Sequence, residues 1–127
     1  MPRIKKHDPV SVERFYTEYA GALQLKLVAG AAGLRRLIGE PTVNRPGLVI
    51  SGFTRYFAKE RVQVIGNAEA VFLKSLPPEE QIKRYAVFFS HKVPCLVFSR
   101  NLQPHKFCLQ AAEKYRTPVF RCPMVTM

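Results

Sequence analysis

Asn44 and Arg45 stand side by side ahead of a Pro46-Gly47 pair, and Gly66-Asn67 closes a β-branched run further along. These are the residues whose types and spacing could bind a charged ligand. Arg45-Pro46-Gly47-Leu48 has the composition of a type II turn. Pro46 presets φ at the second position and Gly47 supplies the positive φ required at the third. A rigid turn of that kind would present the Asn44 amide and the Arg45 guanidinium to a ligand or partner. The same residues also suit a plain tight turn entering the buried apolar run Leu48 to Ile50. Gly66-Asn67 lies where the strand pattern Val62-Gln63-Val64-Ile65 gives way to a helix pattern. At the carboxyl ends of parallel strands, free N–H groups and the helix dipole bind anions. Arg45 or Arg61 would complete a phosphate site there, whereas an ordinary βα turn needs Gly66 or Asn67 only as a cap. The candidate anion-binding residues are therefore Asn44, Arg45, Arg61, Gly66 and Asn67, with Pro46 and Gly47 as a structural turn.

Other chemistry is poorly represented. His7, His91 and His105 are isolated in sequence and read as surface residues. Glu79-Glu80 sits where a helix begins, and the positive helix end accounts for both carboxylates without catalysis. Ser51, Ser75, Ser90 and Ser99 lack the context of a nucleophile elbow. Cys95, Cys108 and Cys122 form no C-x-x-C pair, so they read as small buried hydrophobes of a reducing compartment rather than metal ligands. No Gly-Lys dipeptide occurs, which excludes the G-x-x-x-x-G-K-[ST] loop that cradles nucleotide phosphates. The expectation is a chain with no catalytic residue, metal or cofactor of its own.

Composition bounds the partners. Twenty Lys+Arg against nine Asp+Glu give a formal charge of +11. That balance favours phosphate, nucleic acid or acidic protein surfaces. The basic residues are nevertheless scattered, with no run of five and no RNA-binding or zinc-finger pattern, so nucleic-acid binding is disfavoured against a solvated basic surface. No apolar run approaches the ~20 residues of a membrane span. Met1-Pro2-Arg3-Ile4-Lys5-Lys6 has no apolar core behind it and is no signal peptide. The reading is cytoplasmic, with no membrane contact.

The elements that must position these residues follow from periodicity. Residues 1–8 read as a disordered basic tail and 9–127 as a single domain, large enough to fold without disulfide or metal. Asp8-Pro9 reads as a helix start. Val12, Phe15, Tyr16 and Tyr19 recur at helical spacing up to Gly21, a candidate stop. Leu23, Leu25 and Leu27 alternate as a strand, Gly30-Ala31-Ala32-Gly33 turns, and Leu34 to Ile38 is expected to pair back on that strand. Val62 to Ile65 is a strand. A helix with the stripe Ala68, Val71 and Phe72 follows it. Pro78 opens a second helix, with Ile82, Tyr85, Ala86 and Phe89 inward. Pro94 to Phe98 is a strand, Pro104 begins a helix carrying Cys108, Ala111, Ala112 and Tyr115, and Val119 to Arg121 is the last strand. This predicts an α/β domain, a mixed sheet with a parallel βαβαβ portion covered by helices.

In order and spacing, several segments together resemble the N-terminal domain of bacterial HPr kinase/phosphorylase. They are Leu25 to Gly30, Asn44-Arg45-Pro46-Gly47-Leu48 with Gly52-Phe53, Arg61 to Glu69, Leu76 to Glu80, Val93 to Arg100, and Thr117 to Pro123. The resemblance spans about residues 10–126. It implies a fold similar to the uridine-nucleotide-binding N-terminal domain of Mur ligases. It also implies a regulatory or assembly domain of an enzyme that phosphorylates and dephosphorylates a serine of the phosphocarrier HPr. ATP and Mg²⁺ belong, by resemblance, to a C-terminal P-loop kinase domain that this chain lacks, and family members form hexamers. The expected partners are that kinase domain, HPr and further copies of the chain. The alternative is a stand-alone binding module for a phosphorylated metabolite or nucleotide.

Overall fold

The computed structural model describes residues 10–40, 43–50 and 57–123. A five-stranded sheet forms its centre. Along the chain come β1 (Val10–Ser11), α1 (Val12–Leu23), β2 (Lys26–Ala29), a 3-10 turn (Ala31–Gly33), β3 (Leu37–Ile38), β4 (Val43–Asn44) and α2 (Gly47–Ile50). Then follow β5 (Val62–Ile65), α3 (Asn67–Lys74), α4 (Pro78–Ser90), β6 (Leu96–Phe98), α5 (Lys106–Lys114) and β7 (Val119–Arg121). The strand order is β2-β7-β6-β5-β4, with β4 to β7 mutually parallel and β2 antiparallel to β7 at one edge. The sheet is therefore mixed, with the expected parallel portion.

Both faces of the sheet are covered, so β5 and β6 are buried along their whole length rather than alternating between buried and exposed. Ile65, Leu96, Phe98 and Val119 pack against α4 and α5 through Tyr85, Phe88, Phe89, Cys108 and Ala112. Val62, Val64, Cys95, Val97 and Phe120 form the opposite core, with Phe15, Tyr16, Ala20 and Leu23 of α1 against it. All three cysteines are free and buried. Burial pushes the Cys95 thiol up to about 12, as suits an inert apolar side chain.

Residues 30–36 are fastened to the end of α5. Gly30 has φ +74, and its N–H donates to Glu113 Oε1 at 3.2 Å. A Cβ at Gly30 would overlap the Thr117 carbonyl oxygen, and one at Gly33 would overlap that of Arg116. Arg36 donates from Nη2 to the Tyr115 carbonyl at 2.7 Å and from Nε to the Arg116 carbonyl at 2.9 Å. A cation thus meets the negative end of α5.

Several expectations are corrected. Asp8 and Pro9 lie outside the described residues, and the helix cap falls on Ser11, whose side chain accepts from the Arg14 N–H at 3.1 Å. Gly21 does not stop α1. Gln24, in the left-handed region at φ 53, ends it one turn later, so Leu23 is helical and the strand starts at Lys26. Leu37–Ile38 pairs antiparallel with Val10–Ser11 as a separate ribbon, while β2 pairs with β7. No type II turn forms at Arg45 to Leu48. Gly47 opens the single turn of α2, the Ile50 N–H donates to the Pro46 carbonyl at 3.0 Å, and Gly47 is not at positive φ. Proline's φ suits a helix start as well as a turn. On α3, Val71 is exposed and the buried residues are Glu69 and Leu73. On α4, Ile82 is exposed and Phe88 is buried in the face shared with Tyr85 and Phe89.

Candidate functional site

The carboxyl edge of β4 and β5 brings four of the five candidate residues together. Parallel pairing sets Asn44 opposite Gln63, so that the next residue, Arg45, reaches toward the start of α3. Gly66 is extended there, with φ −110 and ψ −164, and the exposed Asn67 begins the helix. Arg61 does not join them. It precedes β5, at the opposite edge, and its Nε donates to Glu40 Oε2 at 3.1 Å.

The cluster is internally satisfied. Glu69, in the first turn of α3, folds back over the helix start, and its Oε1 accepts from the Gly66 N–H at 2.8 Å and from Arg45 Nη2 at 2.6 Å. This places a carboxylate where an external anion would sit, against the positive helix end. Burial alone pushes the Glu69 carboxyl up. The hydrogen bonds from Arg45, Gly66 and its own N–H, with the Arg45 charge, outweigh that and hold it below the usual carboxylate range. Asn44 is engaged as well, since its Nδ2 donates to Gln63 Oε1 at 2.7 Å. The fully buried Gln63 completes its own bonding by donating from Nε2 to the carbonyls of Ala58 and Arg61, both at 2.9 Å. Beside the pair lies an open cavity of about 190 Å³ bounded by Gly47, Ile50, Ala68, Glu69 and Phe72.

Two residues central to this arrangement, Glu69 and Gln63, were absent from the sequence-based candidates. Glu69 had a visible signal, because a glutamate three residues after a potential cap is the spacing of a capping box. Gln63 had none, since an amide within a β-branched run looks like a solvent-facing position. Among the described residues, no group of three or more His, Cys, Asp or Glu could hold a metal ion, and no helix is long and apolar enough to cross a membrane.

Comparison with known proteins gives a consistent picture. The family model described as HPr Serine kinase N terminus matches residues 10–127. An HPr kinase/phosphorylase of Clostridium tetani is 52% identical over 73 residues, 58% of this chain and 24% of that protein. Its counterpart in Clostridium acetobutylicum is 43% identical over 95 residues, 75% of this chain and 31% of the relative. One from Listeria monocytogenes is 38% identical over 104 residues, 82% of this chain and 33% of the relative. The chain thus spans a third or less of the length of these relatives. Among solved structures, the CBS and DRTGG domains of the regulatory region of Clostridium perfringens pyrophosphatase, complexed with diadenosine tetraphosphate, superpose with a TM-score of 0.59 at 14% identity. The match covers 87% of this chain and 41% of that one, a likeness of fold.

Proposed function

The chain belongs to the HPr serine kinase N-terminal family, and on that premise we propose that it serves an HPr kinase/phosphorylase as a non-catalytic regulatory or assembly domain. The observation that carries this reading is the closed start of α3. Enzymes of the P-loop type hold nucleotide phosphates on free N–H groups at a helix N-terminus. Here the Glu69 carboxylate accepts the Gly66 N–H and fills that position, held there by Arg45, which donates to the same oxygen. The sequence also carries no G-x-x-x-x-G-K-[ST] loop to supply another cradle. ATP, Mg²⁺ and the HPr serine are then engaged by a P-loop domain elsewhere in a homo-oligomeric enzyme. This domain contributes contacts rather than chemistry. Incubating the purified chain with HPr and Mg·ATP, and separately with phosphoserine-HPr and inorganic phosphate, should give no transfer in either direction. Dose-dependent transfer by the chain alone would overturn the proposal.

A second reading, a binding module for a phosphorylated metabolite or nucleotide, draws support from the convergence of Arg45, Gly66 and Asn67. An entering anion would have to displace the Glu69 carboxylate, so binding would be weak, on the order of millimolar, and salt-sensitive. Amide shifts at Gly66 and Asn67 on titration with phosphate or ATP, growing in Glu69→Gln, would favour it. Shifts spread over all basic residues would not.

A further inference from the structure

Away from the Glu69 cluster, α4 and α5 leave a cleft between them that the domain itself does not fill. Ile82 and Ala86 of α4 form one wall, Phe107, Ala111 and Tyr115 the other, around about 200 Å³. Ile82 is 51% exposed although it faces this apolar cleft. The charges around the cleft are arranged asymmetrically. Lys106 Nζ lies 5.5 Å from the centre of the Phe107 ring and Lys114 Nζ 5.7 Å from that of Tyr115, so an ammonium stands over each end of the α5 wall. Lys83 adds a third exposed cation beside Ile82, against two exposed carboxylates, Glu79 one turn earlier on α4 and Glu113, whose Oε1 accepts from the Gly30 N–H. Lys106 and Lys114 are eight residues apart on one helix, which separates them by about 12 Å along its axis at 1.5 Å per residue.

We propose that this cleft docks an amphipathic helix of another protein, one that carries an apolar anchor for the Ile82–Ala111 hollow and a carboxylate on either side of it. Two acidic side chains one heptad apart span about 10 Å and come within reach of Lys106 and Lys114, while residues at i+3 and i+4 between them point into the cleft. Lys106 and Lys114 over the α5 wall, with Lys83 on α4, outnumber Glu79 and Glu113 and disfavour a basic segment there. A second copy of this chain, at +11, meets the same repulsion, so the occupant is a different, acidic polypeptide. The cleft shares no residue with the cavity beside Glu69 and needs no phosphate chemistry.

The test uses the 127-residue chain and a designed helical peptide with glutamates at i and i+7 and leucines at i+3 and i+4. Controls replace the glutamates with lysines or the leucines with serines. Amide shifts should concentrate at Ile82, Ala86, Phe107 and Ala111 with the acidic leucine peptide and fail with both controls. Ile82→Asp should weaken binding roughly tenfold or more, Lys114→Glu should weaken it too, and Lys114→Arg should retain it. Ile82 and Lys114 are exposed, and an unchanged circular dichroism spectrum confirms that each variant folds. Absence of shifts at these residues, or equal shifts with the lysine-flanked peptide, would overturn the proposal. So would concentration-dependent self-association of the unliganded chain that Ile82→Asp abolishes, because a second copy would then be the occupant.

Discussion

Two glycine-bearing stretches of this molecule look alike on paper and are unlike in space. Gly30-Ala31-Ala32-Gly33 is wedged against the backbone that leaves α5, where Gly30 needs both its positive φ and its missing Cβ. Gly47, beside a proline and equally turn-like, adopts an ordinary helical conformation. Among the described residues, a Cβ there would meet only Glu69 Oε2, at 3.7 Å. The first region is tied by backbone approach and the second by side chains, chiefly Arg45 and Glu69. The conformational demand on a glycine is set by what lies opposite it, not by its dipeptide.

That contrast can be broken or sharpened by substitution. The largest loss is expected from Gly30→Ala, about 2–4 kcal/mol, from left-handed strain together with overlap on the Thr117 carbonyl. Chemical denaturation measures it, and a midpoint near wild type would mean that the close approach is absent. Glu69→Ala should cost about 1–3 kcal/mol by removing the cap on Gly66 and the partner of Arg45.

Arg45→Ala should cost about 1 kcal/mol, because its side chain is 40% exposed and solvent screens the pair. This variant also has a pH signature. The folded Glu69 carboxyl titrates below its unfolded value, so its contribution is present above about pH 4.3 and is lost as pH falls through the folded value. Wild type and Arg45→Ala should therefore converge in stability in acid, and a gap that stays constant down to pH 2 would rule out the ion pair as its source. Gly47→Ala should change stability by less than about 0.5 kcal/mol, and could raise it through helix propensity. A loss comparable to that of Gly30→Ala would restore the turn reading.

Much of the fold was legible from local pattern. Val62 to Ile65, the Gly66-Asn67 transition, Pro78 with its glutamates, and the succession of strand and helix to Val119 all signal themselves within a few residues, and the parallel portion follows from their order. What escaped has a long-range cause. Two-residue strands such as Leu37–Ile38 have no period to read, so their pairing with Val10–Ser11 was hidden. The α2 turn is held by Arg84 Nη1, which donates to the Ile50 carbonyl at 3.0 Å from 34 residues away. Glu69 turns inward although it is charged, which shifts the buried face of α3 away from Val71. The candidate site was half legible for the same reason. Its cationic and N–H donors stand out by type, while the carboxylate and amide that satisfy them look like surface residues.

The pairing of β2 with β7 also bears on how the chain comes to be folded. Lys26–Ala29 finds its neighbour only in Val119–Arg121, and Arg36 waits for the carbonyls of Tyr115 and Arg116. During synthesis the early helix and strand must persist without their mates until nearly a hundred further residues have left the ribosome. Contacts so distant in sequence slow the search for the native state. The N-terminal layer is thus the last part to be secured, and it is the part a chaperone would have most time to meet.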